Sequence, residues 1–333
     1  MKVINSNDKH FEELCDILLA EGKLHPLDST LSRSFYSHYW DEFEFKDLSF
    51  AVEIEDAYCV VFVSSKKKAH GGCELGCYGL PMYYVESQSM NCEKRERAEK
   101  EVRKQFLQIL ASEQPDRIIY QAARILETVS PLAVVLLENG GKPEISFTQI
   151  IDLSQPEVML KRQVRKSFRH GISWGSKNLE LLVLDHLNIK DEHMSAFREL
   201  HVNVAGRETR SPQTWAIQLD MVANKEAFVV FGYLDSELVT AALFQYNQTL
   251  CFYGVSASDR NLFDKPISHA VIWKAVVYAQ ELGVKLFELG EQLYPGQTKD
   301  GQPPSQKEMN IGKFKRGFGG ETYGVTKIIW RSA

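Results

Sequence analysis

A repeated order of secondary-structure signals constrains the fold of this chain more than any other feature. Between residues 48 and 120, three runs rich in β-branched and aromatic residues precede an amphipathic helical segment and a further apolar strand signal. The same order returns between residues 227 and 289 as a three-strand meander, a helix and a short strand. This repeat predicts an α/β protein of two similar domains, 1–147 and 148–333. The length of 333 residues agrees, because a domain commonly has ~100 to 200 residues.

Several segments outside the repeat also carry local signals. The apolar run Leu132–Leu137 is typical of a strand, and a dense turn signal follows it at Asn139–Pro143. The basic segment Lys161–Lys177 is predicted to be helical throughout, and the helix begins after Leu153. Between Gln292 and Asn310 aliphatic residues are almost absent. That composition predicts a long loop, either a lid over a site or a segment without fixed structure.

The average charge conceals an uneven distribution. The whole chain has a net charge of −5, but residues 1–150 carry 17 Lys and Arg against 24 Asp and Glu, a net charge of −7. Residues 151–333 carry 22 against 20, a net charge of +2. With 44% hydrophobic and 25% charged residues, the composition is that of a globular protein. No run approaches ~18 apolar residues and no signal-peptide core follows Met1, so we expect a cytoplasmic protein without a membrane span.

The cysteines raise the question of a metal site. The segment His70–Cys77 contains one histidine and two cysteines, which are zinc-type ligands, but Cys73 and Cys77 lack the CxxC spacing of zinc knuckles. Thiols stay reduced in the cytoplasm. We therefore expect structural thiols and no metal.

Two basic segments point to an anionic partner. In a continuous helix, Lys161, Arg165 and Arg169 form one stripe at i, i+4 and i+8, where like charges repel each other unless an anion neutralises them. The stripe is either a phosphate-binding surface or a structural face paired with the acidic first domain. The second segment, Lys313–Gly320, combines cations with glycines that permit close backbone approach.

The second half of the chain contains a series of short motifs in a fixed order. In sequence they are Ile151–Ser154 (IDLS), the basic helix, His201 with Gly206–Glu208 and Trp215, the meander and its helix, Phe287–Gly290 (FELG) and Phe314–Gly320 (FKRGFGG). This series resembles the FemAB-like branch of the GNAT acyltransferase superfamily. The resemblance extends over roughly residues 145–333 and is weak before them.

The resemblance implies two tandem GNAT-like domains, each a mixed, mostly antiparallel sheet flanked by helices. It implies an N-acyltransferase that moves an acetyl or similar group from an acyl-CoA co-substrate to an amino group of a cell-envelope or polysaccharide precursor. Two alternatives are an aminoacyl-tRNA-dependent Fem-type transferase and a GNAT-like binding module without catalysis. Segment Ser256–Pro266 lacks the glycines of the usual pyrophosphate loop, and no heptad segment matches the coiled-coil arm of some Fem proteins.

Acyl transfer onto an amine needs a proton acceptor and donors for the developing oxyanion. Glu288 is the first candidate for the base, with a salt-bridged carboxylate as the alternative interpretation. His201 is the second candidate, although a helix histidine is more often only packed. Backbone N–H groups between Gly254 and Ser256 are candidate oxyanion donors. The resemblance assigns Lys315 to the donor phosphates or to the transition-state charge.

The anionic parts of the substrates need cations and helix termini. The helix that begins near Pro266 offers unpaired N–H groups to a phosphate, with Arg260 and Lys265 nearby. Arg207 and Arg210 are candidates for an anionic acceptor such as a nucleotide sugar or a lipid-linked phosphate. The acceptor is expected in the cleft between the domains, and no DNA is expected as a partner. The remaining candidates for the donor are Ser256 and four cations, Arg165, Arg169, Lys313 and Arg316.

Overall fold

The computed structural model describes residues 1–68, 71–122, 129–298 and 302–332. The chain forms two compact units, and neither is continuous in sequence. The first consists of Met1–Leu24, Tyr36–Ser146 and Gly324–Ala333; the second consists of His25–Phe35 and Phe147–Tyr323. A short segment near the N-terminus therefore belongs to the second unit.

The first unit contains two groups of strands. Strands β1, β3, β4 and β7 form one antiparallel sheet in the order β1-β3-β4-β7. Strands β2, β5, β6 and β8 form the other group, in which β6 and β8 are parallel. The strands of this unit are β1 Lys2–Asn5, β2 Glu44–Asp47, β3 Phe50–Ile54, β4 Ala57–Phe62, β5 Ser64–Lys67, β6 Cys73–Gly76, β7 Tyr83–Glu86 and β8 Arg117–Gln121.

In the described parts of the first 140 residues four α-helices begin, and two of them cover a sheet face. Helices α3 and α4 contribute Val102, Phe106, Leu132 and Leu136 to a core shared with β3, β4 and β8. The segment Leu132–Leu137 is therefore helical, and the strand prediction was wrong. Ser130 caps the Ala133 N–H and Pro131 opens the first turn, a start signal that outweighs the unbroken apolar run. The helices are α1 Lys9–Ala20, α2 Thr30–Tyr39, α3 Cys92–Glu113 and α4 Pro131–Glu138.

The second unit is built on one mixed sheet. Its order is β10-β11-β12-β13-β14-β9, and every neighbouring pair is antiparallel except β13 and β14. Two long strands, β9 and β15, run from one unit into the other along the chain. The strands are β9 Lys142–Asp152, β10 Glu180–Leu184, β11 Ala227–Leu234, β12 Glu237–Tyr246, β13 Leu250–Ser258, β14 Leu286–Gln292 and β15 Glu321–Arg331. The predicted meander, helix and strand between residues 227 and 289 are confirmed.

Helices α6 and α9 cover the core face of this sheet. They approach closely because Gly171 and Gly175 of α6 lie against α9, and a Cβ at Gly175 would be only 2.5 Å from the Cβ of Ala270. The helices of the unit are α5 Glu157–Gln163, α6 Lys166–Asn178, α7 Asp191–Ala205, α8 Pro212–Ala223, α9 Ile267–Glu281 and α10 Gln306–Lys315. None of the helices in the described parts of the chain is long and apolar enough to cross a membrane.

The basic segment predicted as one helix is two helices. Val164 and Arg165 separate α5 from α6 with extended backbone, at ψ 134° and 139°. Val164 is buried, and the Arg165 N–H donates to the Gly317 carbonyl, so tertiary contacts at this point replace the helical ladder. Lys161 is therefore not in one helical stripe with Arg165 and Arg169.

The segment between Gln292 and Asn310 also differs from its prediction as one long loop. Helix α10 begins at Gln306, where Ser305 and Glu308 form a capping box. A capping box depends only on the residues of the first helical turn. The scarcity of aliphatic residues in this segment therefore does not exclude a helix.

The contact between α6 and α9 yields a stability prediction. Gly175→Val should lower the free energy of unfolding by about 1–3 kcal/mol, because the added atoms overlap the Ala270 side chain. Lys177→Ala, an exposed change on the same helix, should stay within ~0.5 kcal/mol. Denaturant unfolding of both variants measures the difference, and equal stability would contradict the close packing.

Candidate functional site

The site lies where the two parallel strands of the second unit diverge. Strands β13 and β14 pair only through Leu250–Phe252 and Leu286–Glu288. Beyond these residues β13 stays with β12, and β14 stays with β9. The space that opens between the two strands beyond Phe252 and Glu288 is called the strand wedge below. Strand β13 therefore separates from β14 beyond these residues.

Two bulges shape the strand wedge. The register between β12 and β13 shifts at Gly254, and the register between β14 and β9 shifts at Leu289. A bulge leaves one residue out of the ladder and bends the strand. Gly254 and Ser256 are exposed, so the backbone predicted to supply oxyanion donors lies at the open edge of β13. The Ser256 hydroxyl accepts a hydrogen bond from Tyr253 at 2.7 Å.

Glu288 is the last residue of β14 that pairs with β13, and two side chains bond its carboxylate. Its Oε1 accepts a hydrogen bond from the Thr148 hydroxyl at 2.5 Å, and its Oε2 lies 3.1 Å from His25 Nε2. Only 15% of the Glu288 side chain is exposed. The His25 ring packs edge-on against Phe252 at 5.1 Å between ring centroids. The carboxylate is thus both partnered and placed at the strand wedge.

Sequence reasoning missed His25 and Thr148. His25 lies in a short 3-10 turn, where the Leu27 N–H donates to His25 Nδ1 at 3.1 Å and the His25 N–H donates to Asp28 at 2.9 Å. Because Nδ1 accepts a hydrogen bond, Nε2 carries the proton and donates to Glu288. The histidine before a proline, with Asp three positions later, is a recognisable turn signal, but it says nothing about a distant partner.

A buried polar network anchors the segment that carries His25. The Ser29 hydroxyl donates to Glu226 at 2.6 Å, and the Gln245 amide donates to the Ser32 hydroxyl at 2.6 Å. The Ser32 hydroxyl in turn donates to the Pro26 carbonyl at 3.0 Å. Ser29, Ser32 and Gln245 are buried, so these bonds are shielded from water. Segment 25–35 is therefore a fixed part of the second unit.

Burial and charge act in opposite directions on the pair. Burial lowers the pKa of His25, but the hydrogen bond and the charge of Glu288 raise that pKa by more, so it lies above its usual range. Burial raises the pKa of Glu288, but His25, Thr148 and Lys315 lower that pKa overall. Glu288 thus favours the charged form of His25, whereas the bond from the Leu27 N–H to Nδ1 belongs to the neutral form.

Lys315 belongs to the same cluster. It is the last residue of α10, and its Nζ would be 3.1 Å from a Cβ on Gly290, which has φ +87°. Its positive charge contributes to the lowered pKa of Glu288. Arg316 is bound differently, since its Nη1 donates to Gln292 at 3.0 Å and its guanidinium lies over the Tyr294 ring. Of these two cations, Lys315 is the one beside Glu288.

The two basic segments meet in space. Arg165 donates from its guanidinium to the Lys313 carbonyl at 3.3 Å, and its N–H donates to Gly317. Arg169 donates to the Arg162 carbonyl at 2.9 Å. None of these cations forms an ion pair with a side chain in the described ranges. Arg162, Arg165, Arg169 and Lys313 are called the basic surface below.

At the start of α9, which was predicted to bind a phosphate, two N–H groups are bonded within the protein. The Ile267 N–H donates to Lys265 and the His269 N–H donates to Pro266. A Cβ on Gly171 of α6 would lie 3.0 Å from the side chains of both His269 and Pro266. Arg260 is exposed in a 3-10 turn before this point. Few donors of this helix end remain for an anion.

His201 lies in a different cluster from Glu288. Its ring packs against Trp215 at 5.5 Å, and the Arg210 guanidinium lies 5.4 Å from the same indole ring. Burial, with a smaller contribution from Arg210, lowers the pKa of His201 to about 4, so it is neutral at pH 7. Arg207 is exposed, directly after the helix-ending Gly206.

The cysteines of segment His70–Cys77 are free thiols. Cys73 and Cys77 are buried. Within the described ranges, no group of three or more His, Cys, Asp or Glu side chains is arranged to hold a metal ion. His70 lies outside the described residues.

The pair of His25 and Glu288 yields a pH prediction. Glu288→Gln should move the pKa of His25 from above about 6.5 to below it, because burial remains after the charge is removed. In the wild type, the stability from the raised pKa is present below pH ~6.5 and is lost as the pH rises through the folded pKa. NMR titration of the His25 ring measures both values, with Thr148→Val as the control that keeps the charge. An unchanged His25 pKa in Glu288→Gln would refute the pairing.

No family model and no curated protein matches the sequence, but solved structures share its fold. FemX aligns with a TM-score of 0.67 and 13% identity, over 100% of this chain and 98% of FemX. The C-terminal domain of a putative lysylphosphatidylglycerol synthetase from Agrobacterium fabrum aligns with a TM-score of 0.57 and 11% identity, over 95% and 91%. A tandem GNAT protein from the clavulanic acid biosynthesis pathway aligns with a TM-score of 0.56 and 10% identity, over 100% and 98%. The chain therefore shares the fold of FemX and of this tandem GNAT protein, and this is the fold that the sequence resemblance implied.

Proposed function

We propose that the protein transfers an acyl or aminoacyl group from an activated ester or thioester to a primary amine at the strand wedge of the second unit. The observation that carries this proposal is the convergence of Glu288, His25, Thr148 and Lys315 where two parallel strands diverge. A buried carboxylate beside an open strand edge and a cation suits a reaction in which an amine attacks a carbonyl.

In this reaction Glu288 and Lys315 have different roles. The amine nitrogen attacks the carbonyl carbon, a C–N bond forms, and the bond from that carbon to the leaving sulfur or oxygen breaks. The attacking nitrogen becomes positively charged and acidic, and Glu288 accepts its proton, which then passes to the leaving group. The lowered pKa of Glu288 keeps it an anion that aligns the amine. Lys315 and the backbone N–H groups near Gly254 stabilise the negative charge on the carbonyl oxygen.

Two observations favour aminoacyl-tRNA as the donor. The start of α9, where an acyl-CoA pyrophosphate is expected, has its Ile267 and His269 N–H groups bonded within the protein and is covered by Gly171. The basic surface, in contrast, presents cations without acidic partners in the described part of the chain. Such a surface suits the phosphates of a nucleic acid, whose binding weakens steeply with salt.

Acyl-CoA is the second candidate donor, and the open edge of β13 favours it. From Tyr253 onward the edge of β13 that faces β14 has no strand partner among the described residues. An extended, amide-containing arm such as pantetheine can add to a free strand edge through main-chain hydrogen bonds.

The acceptor is proposed to be an amine on a cell-envelope precursor with an anionic group, held by Arg207 and Arg210. FemX and the lysylphosphatidylglycerol synthetase domain are the neighbours that suggest this substrate class. We place the reaction in the cytoplasm, where both candidate donors are made.

Glu288→Gln and Lys315→Ala test the chemistry. Each should reduce single-turnover transfer by roughly 100-fold or more, because each removes a group that acts on the reacting atoms. Lys177→Ala is the matched control for the lysine and should react at the wild-type rate. Cooperative thermal unfolding of every variant verifies folding, and wild-type transfer rates in Glu288→Gln and Lys315→Ala would remove both residues from the mechanism.

Ligand-induced thermal shifts identify the donor. A true ligand raises the unfolding midpoint by mass action, so we expect a shift with aminoacyl-tRNA that shrinks between 50 and 200 mM salt, about the range over which nucleic-acid affinity falls steeply. In a plot of the logarithm of the tRNA binding constant against the logarithm of salt concentration, Arg165→Ala and Arg169→Ala should each reduce the slope by about one unit. Lys190→Ala should leave this slope unchanged. A shift with acyl-CoA alone would select the second donor. No shift with either would favour the non-catalytic binding module.

A further inference from the structure

The first unit contains a parallel contact of its own, directly before β7. Met82 forms a parallel bridge with Tyr120 of β8, where the Met82 N–H donates to Ile119 and the Gln121 N–H donates to Met82. Beyond the bridge the strands separate, and a cavity of about 450 Å³ opens between them and helices α3 and α4. This volume lies within the range of small-molecule sites, ~300 to 1,000 Å³. The proposed transfer reaction does not use it.

One carboxylate in the cavity wall is fully bonded. Glu86 accepts hydrogen bonds from Arg95 through both carboxylate oxygens, at 2.8 and 2.6 Å, and from the Tyr84 hydroxyl at 2.9 Å. Lys23 donates to the Glu86 carbonyl at 2.9 Å. Arg95 thus bonds the Glu86 carboxylate and Lys23 bonds the Glu86 main-chain carbonyl, and neither cation donates to a second acid of this wall.

That second acid is Glu99. It lies one helical turn after Arg95 on α3, lines the cavity and is half-buried. It forms no hydrogen bond and no ion pair with any residue in the described ranges. Burial is the largest cause that raises the pKa of Glu99; the charge of Arg95 lowers that pKa, and the charges of Glu86 and Glu96 raise it further. A cation bound in the cavity would supply positive charge and a hydrogen-bond donor to the Glu99 carboxylate.

The other residues that line the cavity indicate which chemical groups the bound cation carries. Val85, Ala133 and Ile328 are buried apolar residues that line the cavity, and Tyr84 and Tyr120 contribute aromatic rings. Apolar surface suits a carbon chain, and aromatic faces attract ammonium groups.

We propose that this cavity binds a primary alkylammonium group, with the nitrogen at Glu99 and the carbon chain against the apolar wall. The site belongs to the first unit, and the proposal concerns binding alone. It therefore stands whether or not the second unit carries out acyl transfer.

Binding of n-butylamine to the full-length protein at pH 7 tests the proposal, with n-butanol as the uncharged probe of the same length. Calorimetric titration should show saturable binding of the amine to the wild type and at least tenfold weaker binding to Glu99→Gln, the loss expected when a charge-assisted hydrogen bond is removed. Glu93→Gln, an exposed acid on the same helix, is the matched control and should bind like the wild type. Glu99 has no partner to lose, so the variant should keep the wild-type unfolding midpoint.

Three outcomes would overturn the proposal. They are equal affinity of Glu99→Gln and the wild type for n-butylamine, equal affinity of the wild type for n-butanol and n-butylamine, and no saturable binding of the amine. Ligand-observed NMR on the wild type supplies a second measurement that depends on no variant. Saturation transfer to the butyl protons is expected, and its absence would count against the site.

Discussion

The hydrogen bond between His25 and Glu288 is the interaction on which the candidate site depends. It joins residues 263 positions apart in sequence and makes an N-terminal segment part of the second unit. Both side chains are largely removed from water, so each is costly to leave without the other; breaking one partner from a buried pair typically costs about 3–5 kcal/mol. The network of Ser29, Ser32 and Gln245 holds the segment in place and fixes the ring that faces the carboxylate.

The sheet of the second unit determines where the Glu288 carboxylate lies. Because β13 and β14 separate directly after Phe252 and Glu288, the carboxylate lies at the point where the pairing between these two strands ends and the strand wedge begins. The bulges at Gly254 and Leu289 bend the two strands there, and the left-handed backbone of Gly290 leaves room for Lys315. The first unit uses the same divergence with different chemistry, since Tyr120 takes the bridge position that corresponds to Glu288. One architecture thus presents two different sets of side chains.

The sequence allowed prediction of what is local and periodic. The meander, α9 and β14 follow from alternating apolar residues and helix signals, and Glu288 and Lys315 were identified by motifs on either side of the site. The break at Val164 and Arg165 was not predictable, because it depends on a hydrogen bond to Gly317, more than 100 residues later. The helix at Leu132 was missed because an unbroken apolar run fits a strand and a buried helix equally well. His25 was missed for a related reason, since its partner is set by tertiary contacts of segment 25–35.

A double-mutant cycle on transfer activity tests the central claim, that His25 acts through Glu288. The single-turnover rates of wild type, His25→Gln, Glu288→Gln and the double variant give the coupling energy directly. If the two side chains work as one unit, the double variant should be no slower than Glu288→Gln alone. If the two losses multiply, His25 acts independently of Glu288 and the account of the site is wrong.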